Sequence, residues 1–480
     1  MTIPTFTWSY LGPILPELVL ICIGIAVILI DLFASEQEDM LPWLTVIGIL
    51  TTMVVVAGQA PGTTFEGMYV ADGYALFFKF ICLLGLLLTT LMSEQYLKAR
   101  NLARGEYYSL LIFSSVGMMI MVSAGDLMVL YVGLELMALS IYCLVGLMKQ
   151  DGKSSEAALK YFLMGAFFSA ILLYGISLVY GMTGTTNLHE IAVYTVKSIP
   201  TTNPALLAGL GLMTAAFCFK TAVAPFHFWT PDVYEGAPTS ITAYMSVGAK
   251  AASFAVFGRV LMIGFPELQA NWGVLLSFFA LLTMAVGNIT ALAQTNIKRM
   301  LAYSSIAHAG YALIGILAGT AEGLSATMNY LLIYGFMNMG AFAVLVLMAS
   351  DGKKRESLED YKGLAKNNPA AAALMLIFMF SLTGIPPTAG FIGKFYLLKA
   401  GIQAGYTWLV IAAVVFSSIS AFFYLRVVRY MYMEEATEET KYPFTPGLTA
   451  AITLALIGVI GLGLMPGSVV GLASKALVTF

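Results

Sequence analysis

The chain has 480 residues, 59% of them hydrophobic and only 10% charged, with mean hydropathy +0.86 and a formal net charge of -2. Soluble domains carry about a quarter charged residues, so this composition excludes a water-soluble fold of such size and leaves the bilayer as solvent. No basic stripe runs through the sequence, and nucleic acid is not an expected partner.

A membrane-spanning helix needs about 20 mostly apolar residues. In chain order, such runs cover 12–33, 41–59, 72–94, 107–124, 126–148, 156–180, 204–234, 240–263, 272–294, 299–319, 324–349, 370–401, 406–432 and 447–474. These runs are continuous rather than alternating, which argues against a β-barrel. The expectation is an all-α, polytopic transmembrane bundle of about 14 helices forming a single membrane domain, 1–480. The opening residues Met1–Phe6 lack the positive region of a cleaved signal peptide, so the first run is expected to persist as a helix. Asp72 and Asp126 open their spans and read as helix caps. Cys22, Cys82, Cys143 and Cys218 each lie in an apolar run without C-x-x-C spacing; they read as small core residues, not as iron–sulfur ligands or disulfides.

Lysine and arginine in the loops set the orientation. Lys98, Arg100 and Arg104 follow the third span, Lys149 and Lys153 the fifth, and Lys298 and Arg299 the ninth. Lys353, Lys354, Arg355, Lys362 and Lys366 follow the eleventh, and Arg429 and Lys441 the thirteenth, whereas loops after even spans offer only Lys197. Odd loops are therefore expected in the cytoplasm and both termini on the opposite side. The acidic run Glu36–Asp39 also falls on the cytoplasmic side, which the rule tolerates.

The seventh and twelfth spans are interrupted, by Pro225 and by Pro386 and Pro387. Proline removes an N–H and clashes with the carbonyl four residues back, which frees the carbonyl of Thr221 in one case and those of Leu382 and Thr383 in the other. Non-helical backbone at membrane depth survives only within protein or along water. Two breaks five spans apart imply an inverted repeat, because an odd offset reverses direction. The expected division is helices one to three over 1–98, one five-helix repeat over 107–263, a second over 272–432, and a last helix over 447–480.

Six ionisable residues within spans stand out as candidates for chemistry: Glu135, Lys160, Lys220, Lys250, His308 and Lys394. A charge at the bilayer centre costs roughly 2.5–3.5 kcal/mol even on the gentlest scale, so these groups must face the interior, paired or hydrated. Burial and a nearby opposite charge move an amine's proton affinity in opposite directions. Making or breaking a glutamate–lysine contact can therefore load or release a proton, and His308 can bridge the two halves. The bland readings stand beside this one. Glu135 can simply fix packing through one lysine, and Lys160 follows Glu156 by four residues and can form an interfacial salt bridge. Lys394 competes with snorkelling near Lys399, and His308 with a hydrogen-bonded core histidine. His227, Lys79 and Arg259 read as structural.

The segment from Pro225-Phe226-His227-Phe228-Trp229-Thr230-Pro231-Asp232 to Pro238-Thr239, with Ser246–Lys250, resembles the antiporter-like membrane subunits of NADH-quinone oxidoreductase (respiratory complex I). Gly133-Leu134-Glu135-Leu136 and Gly384-Ile385-Pro386-Pro387 through Lys394 fit the same family, and the likeness covers nearly the whole chain. The resemblance implies a proton-translocating subunit of the bacterial cytoplasmic (inner) membrane. Glu135 and Lys220 would form the first half-channel, Lys250 the central connection and Lys394 the second half-channel. Flavin, iron–sulfur clusters and quinone would lie in partner subunits, with no cofactor in this chain. The absence after Phe480 of a long lateral helix points to the family's shorter members. Neither G-x-x-x-x-G-K-[ST] nor a strand-preceded G-x-G-x-x-G occurs, so the driving reaction is expected in those partners. The competing reading is a cation/proton antiporter subunit without redox chemistry, which would use the same buried ions.

Overall fold

A computed structural model describes residues 8–33, 39–197, 203–436 and 442–480. Met1–Phe6, most of the acidic run after the first span, and Lys441 lie outside them. Helices α1 (Leu15–Phe33) and α2 (Leu41–Ala57) lead to a short hairpin, β1 (Gly62–Thr64) with β2 (Tyr69–Ala71). Then follow α3 (Gly73–Lys98), α4 (Gly105–Val122), α5 (Leu127–Val145), α6 (Gly152–Thr183) and the short α7 (Leu188–Lys197). The seventh span is α8 (Pro204–Lys220) and α9 (Thr230–Gly236), separated by irregular chain. The eighth is α10 (Thr239–Tyr244), a π-turn (Met245–Ala249), α11 (Lys250–Arg259) and a second π-turn (Val260–Gly264). The rest comprises α12 (Gln269–Leu292), α13 (Ile297–Leu317), α14 (Ala321–Met348), α15 (Leu364–Asn367), α16 (Pro369–Thr383), α17 (Ala389–Gln403), α18 (Thr407–Met433), α19 (Pro446–Leu464) and α20 (Pro466–Ala476).

Among the described residues, eleven helices are long and apolar enough to cross a membrane, and α2, α8 and α16 are shorter apolar helices. Together they make the fourteen spans expected. One boundary differs by more than a few residues. The last run, expected to continue to 474, stops at Leu464, because Pro466 supplies no N–H and opens α20 instead. The hairpin and α7 lie between spans, in stretches too short to register as membrane runs.

Local chemistry fixes the helix ends. The carboxylates of Asp72, Asp126 and Asp151 accept the N–H groups of Ala75, Met128 and Lys153, and Asn203, Asn296 and Thr320 cap α8, α13 and α14. In lipid, helices associate by close backbone packing at small residues rather than by hydrophobicity. A Cβ on Gly117 of α4 would lie 2.4 Å from Met137 N of α5, and one on Gly287 of α12 would lie 2.5 Å from Ala307 N of α13. The most enclosed helices are α13 and α14, 94% buried along their apolar stretches, against 33% for α18 and α19.

Two ion pairs are sealed in this core. Arg259 grips Asp72 through two bonds of 2.8 Å, its guanidinium over the rings of Tyr74 and Phe480. Lys79 lies 3.0 Å from Glu17 and donates to the Tyr69 hydroxyl at 2.9 Å. Removing one member of such a pair leaves a stranded charge, at a cost of roughly 3–5 kcal/mol. Arg259→Ala is therefore expected to lower the thermal midpoint of the detergent-solubilised protein sharply; an unchanged midpoint would contradict this account of the α3–α11 contact.

Candidate functional site

The two interruptions share one backbone device. After Lys220 the chain turns through Ala222, left-handed at φ 61°, and the Val223 N–H returns to Cys218 O at 2.8 Å. After Leu382 it turns through Gly384 at φ 93°, and Ile385 N–H returns to Phe380 O at 3.0 Å. In both, the residue after the left-handed position donates five residues back, the helix-ending pattern that glycine favours. Ala222 adopts it without glycine, a backbone state that L-residues rarely take.

Side chains from elsewhere bond several of the groups laid bare. Lys394, on α17, reaches back across the second break. Its Nζ donates to Leu382 O (3.1 Å), Thr383 O (2.8 Å) and Ser417 Oγ (2.9 Å). Those carbonyls are the two that Pro386 and Pro387 were expected to free, and the three bonds use all three ammonium donors. The negative end of the α16 dipole adds to the attraction. The lysine opens into a cleft of about 310 Å³ lined by Tyr311, Thr383, Gly384, Ser417 and Ser418, with room for several waters.

At the first break the arrangement differs. Trp229 Nε1 donates to Phe219 O (2.9 Å), and the N–H of Ala224, just before Pro225, donates to Thr283 Oγ1 of α12 (2.9 Å). The ring of Trp229 stacks on Tyr161. Lys220, the last residue of α8, is buried with its Nζ free of any hydrogen-bond partner; the Tyr142 ring centroid lies 5.8 Å away. Glu135 does not pair with it directly. The carboxylate takes a very short hydrogen bond from Ser169 Oγ of α6, on a stripe of α5 whose Val132 and Leu139 are exposed on this chain. His227 sits at the half-exposed rim of the break.

Lys250 follows directly on the π-turn of the eighth span. Its ammonium donates to Ser305 O of α13 (2.8 Å) and makes a very short bond to Ser305 Oγ. Next to it, Ser304 Oγ meets the Tyr424 hydroxyl, which lies 3.2 Å from His308 Nε2, while His308 Nδ1 is 2.6 Å from Tyr330 OH. A hydroxyl–imidazole chain thus runs beside Lys250 and ends near Tyr311, whose ring lies 5.1 Å from Lys394 Nζ and whose hydroxyl meets Asn288 Nδ2 at 3.2 Å.

Lys160 belongs elsewhere. Its Nζ lies 2.6 Å from Glu156 and 2.9 Å from Asp232 in a partly exposed ion cluster, the interfacial arrangement weighed against a relay role. The structure therefore sets Lys250, His308 and Lys394 among neighbouring hydroxyl groups of α13, α14 and α18, places Lys220 and Glu135 in the first half without direct contact, and sets Lys160 apart. Ser169, Ser305, Ser417, Tyr424 and Tyr330 escape sequence reasoning, since a hydroxyl in a span carries no mark of its partner. The adjacent pair Ser304-Ser305, three residues before His308, is the nearest thing to a signal. Among the described residues, no group of three His, Cys, Asp or Glu converges to hold a metal.

Comparison with known proteins accords with this architecture. Residues 124–420 match the family described as NADH:quinone oxidoreductase/Mrp antiporter, transmembrane. A protein named NADH-quinone oxidoreductase subunit N from Desulfovibrio desulfuricans is 51% identical over 474 residues, covering 94% of each chain. A chain of respiratory complex I from Thermus thermophilus with bound aureothin superposes with a TM-score of 0.81 at 34% identity, over 96% of this chain and 99% of that one. A chain of the Mrp complex from Dietzia shares the fold, with a TM-score of 0.82 at 20% identity over 98% and 97%. With the family match covering well over half its length, the chain belongs to the NADH:quinone oxidoreductase/Mrp antiporter family of transmembrane subunits.

Proposed function

We propose that this chain is a proton-translocating membrane subunit of an NADH-quinone oxidoreductase, moving protons along Glu135, Lys220, Lys250, His308 and Lys394. One observation carries the reading: each buried amine of the series lies at a helix discontinuity or bonds one. Lys220 ends α8, Lys250 follows a π-turn, and Lys394 binds the carbonyls exposed by a break. Irregular helix at functional depth offers backbone groups and room for water that a regular helix withholds. A proton on Lys250 has Ser305 as its nearest acceptor, and hydroxyl rotation at Ser304, Tyr424 and Tyr330 around His308 can pass it toward the cleft at Lys394. Lys220 is left to exchange with water or with Glu135 through the Ser169 side of α5 and α6.

Each proton moved against 100 mV requires about 2.3 kcal/mol. The reading places that source in partner subunits, where electrons would pass from NADH through flavin and iron–sulfur centres to quinone. Glu135 faces a part of this chain's surface that lipid cannot cover without stranding a carboxylate, which favours a neighbouring membrane subunit there. Charge asymmetry in the loops supports an orientation with odd loops in the cytoplasm and both termini outside. The equivalent breaks five spans apart support a division into repeats over 107–263 and 272–432. The antiporter reading shares the family match and the fold, but the relatives at 51% and 34% identity carry the oxidoreductase name, against 20% for the Mrp chain.

In the intact complex in vesicles, Glu135→Gln and Lys220→Met are each expected to cut the number of protons moved per electron pair; a wild-type ratio in both would overturn the proposal. The wiring also predicts an asymmetry in stability. Lys394→Met deprives the carbonyls of Leu382 and Thr383 of their donor, at roughly 1–3 kcal/mol per stranded group, whereas Lys220→Met removes an ammonium that bonds nothing. Thermal unfolding should therefore fall for Lys394→Met and hold or rise for Lys220→Met, and equal losses in both would argue against this assignment of partners.

A further inference from the structure

The half-helix α9, only seven residues long, completes the seventh span beyond the break. It makes too few internal hydrogen bonds to fix its own position. Two consecutive residues at the start of α13 hold it. Lys298, 1% exposed, sends its ammonium into the end of α9, donating to Glu235 O (2.9 Å) and Ala237 O (2.8 Å), and its third donor goes to Glu356 Oε1 (3.0 Å). Arg299 Nη1 bonds both acidic side chains of α9, Asp232 Oδ1 at 2.8 Å and Glu235 Oε2 at 3.0 Å. From the other side, α6 adds Lys160 to Asp232 and Lys153 to Glu235.

The anchor is itself braced. Ile297 N–H donates to Glu356 O (2.7 Å) and Leu358 N–H to Thr295 O (2.9 Å), so the loop after α14 pins the start of α13. Two turns further along, the same helix presents Ser304, Ser305 and His308, and then Tyr311. One rigid, almost wholly enclosed helix thus touches Lys250, the histidine network and the surroundings of Lys394, and grips the far half of the span that ends in Lys220.

We infer that Lys298 and Arg299 are positioning residues of the relay: they lock α9 to α13, so that the break at Lys220 keeps its geometry in register with Lys250 and His308. Both residues act through α9 and touch no transferred proton. Glu235 is the pivot, because its side chain and its carbonyl are held by neighbouring residues of one helix. Lys298 is the buried member, so its three bonds are the stronger restraint, while Arg299, partly exposed, sets the rotation of α9 about its axis. This inference rests on the proton-relay reading for its functional consequence and on geometry alone for the restraint.

The test uses the intact complex with Lys298→Met, Arg299→Gln and the milder Lys298→Arg and Arg299→Lys in this chain. Hydrogen–deuterium exchange is followed over 221–230 (apart from Pro225) and, as an internal reference, over 384–391 (apart from Pro386 and Pro387). Exchange at the first break is expected to speed up by about tenfold or more in Lys298→Met and Arg299→Gln, with the second break unchanged and Lys298→Arg close to wild type. Protons moved per electron pair should fall in the same variants while electron transfer from NADH to a soluble acceptor persists. Unchanged exchange at 221–230, or an equal rise at both breaks, overturns the inference. Should Lys298→Met prevent assembly, Arg299→Gln and Arg299→Lys still decide it. Faster exchange at the first break with normal pumping would uphold the restraint and sink its role in the relay. Failure of the relay itself shows separately, in Glu135→Gln and Lys220→Met.

Discussion

Hydrocarbon offers no water to a bare carbonyl, so any break in a membrane helix must be answered by a donor from within the protein. The architecture around the seventh and twelfth spans follows from that constraint. Pro386 and Pro387 expose Leu382 O and Thr383 O, and an ammonium is the most economical answer, because one group satisfies two carbonyls and still reaches Ser417. At the first break Trp229 donates to Phe219 O, while Thr283 accepts the N–H of Ala224. That frees Lys220 from structural duty.

The difference between the breaks bears on chemistry. Lys394 is held by neutral acceptors that do not depend on its charge state alone, and it looks into a cleft with space for water. Lys220 has no hydrogen-bond acceptor, and its ammonium lies 5.8 Å from the centre of the Tyr142 ring. A group that makes no fixed bonds changes protonation without breaking any, whereas loss of a proton from Lys394 removes one of its three donated bonds and leaves two donors for the carbonyls. Under the proposed relay, the halves share a backbone device but divide the tasks of loading a proton and of holding one.

Much of this was legible in the sequence because the bilayer writes in long words. Fourteen apolar runs, the loop asymmetry of lysine and arginine, and prolines at the two interruptions are properties of whole segments, and the spans fall close to where those segments place them. Glu135, Lys220, Lys250 and Lys394 stood out for the same reason, as charges where charge is expensive. What stayed hidden depends on contacts between distant segments. Ser305 and Tyr424 look like any hydroxyl in a span until folding brings α11 and α18 against α13. Glu17 sat unremarked in the first run, and only the structure sets it beside Lys79. Lys160 had the opposite fate: its position in a span marked it as buried, yet Glu156 and Asp232 hold it at a partly exposed edge.

The hidden contacts converge on α13. A regular helix transmits displacement along its axis because its hydrogen bonds resist bending, and α13 is regular over 21 residues where the seventh, eighth and twelfth spans are not. Rigid and irregular elements are thus interleaved: Lys220 and Lys250 adjoin chain that can adjust, and Ser305, His308 and Tyr311 sit on chain that cannot. A change in charge at Lys250 must then be absorbed by its own π-turn or passed through Ser305 to a helix whose other end grips α9. That route requires no large motion, only the exchange of hydrogen bonds at residues already in place.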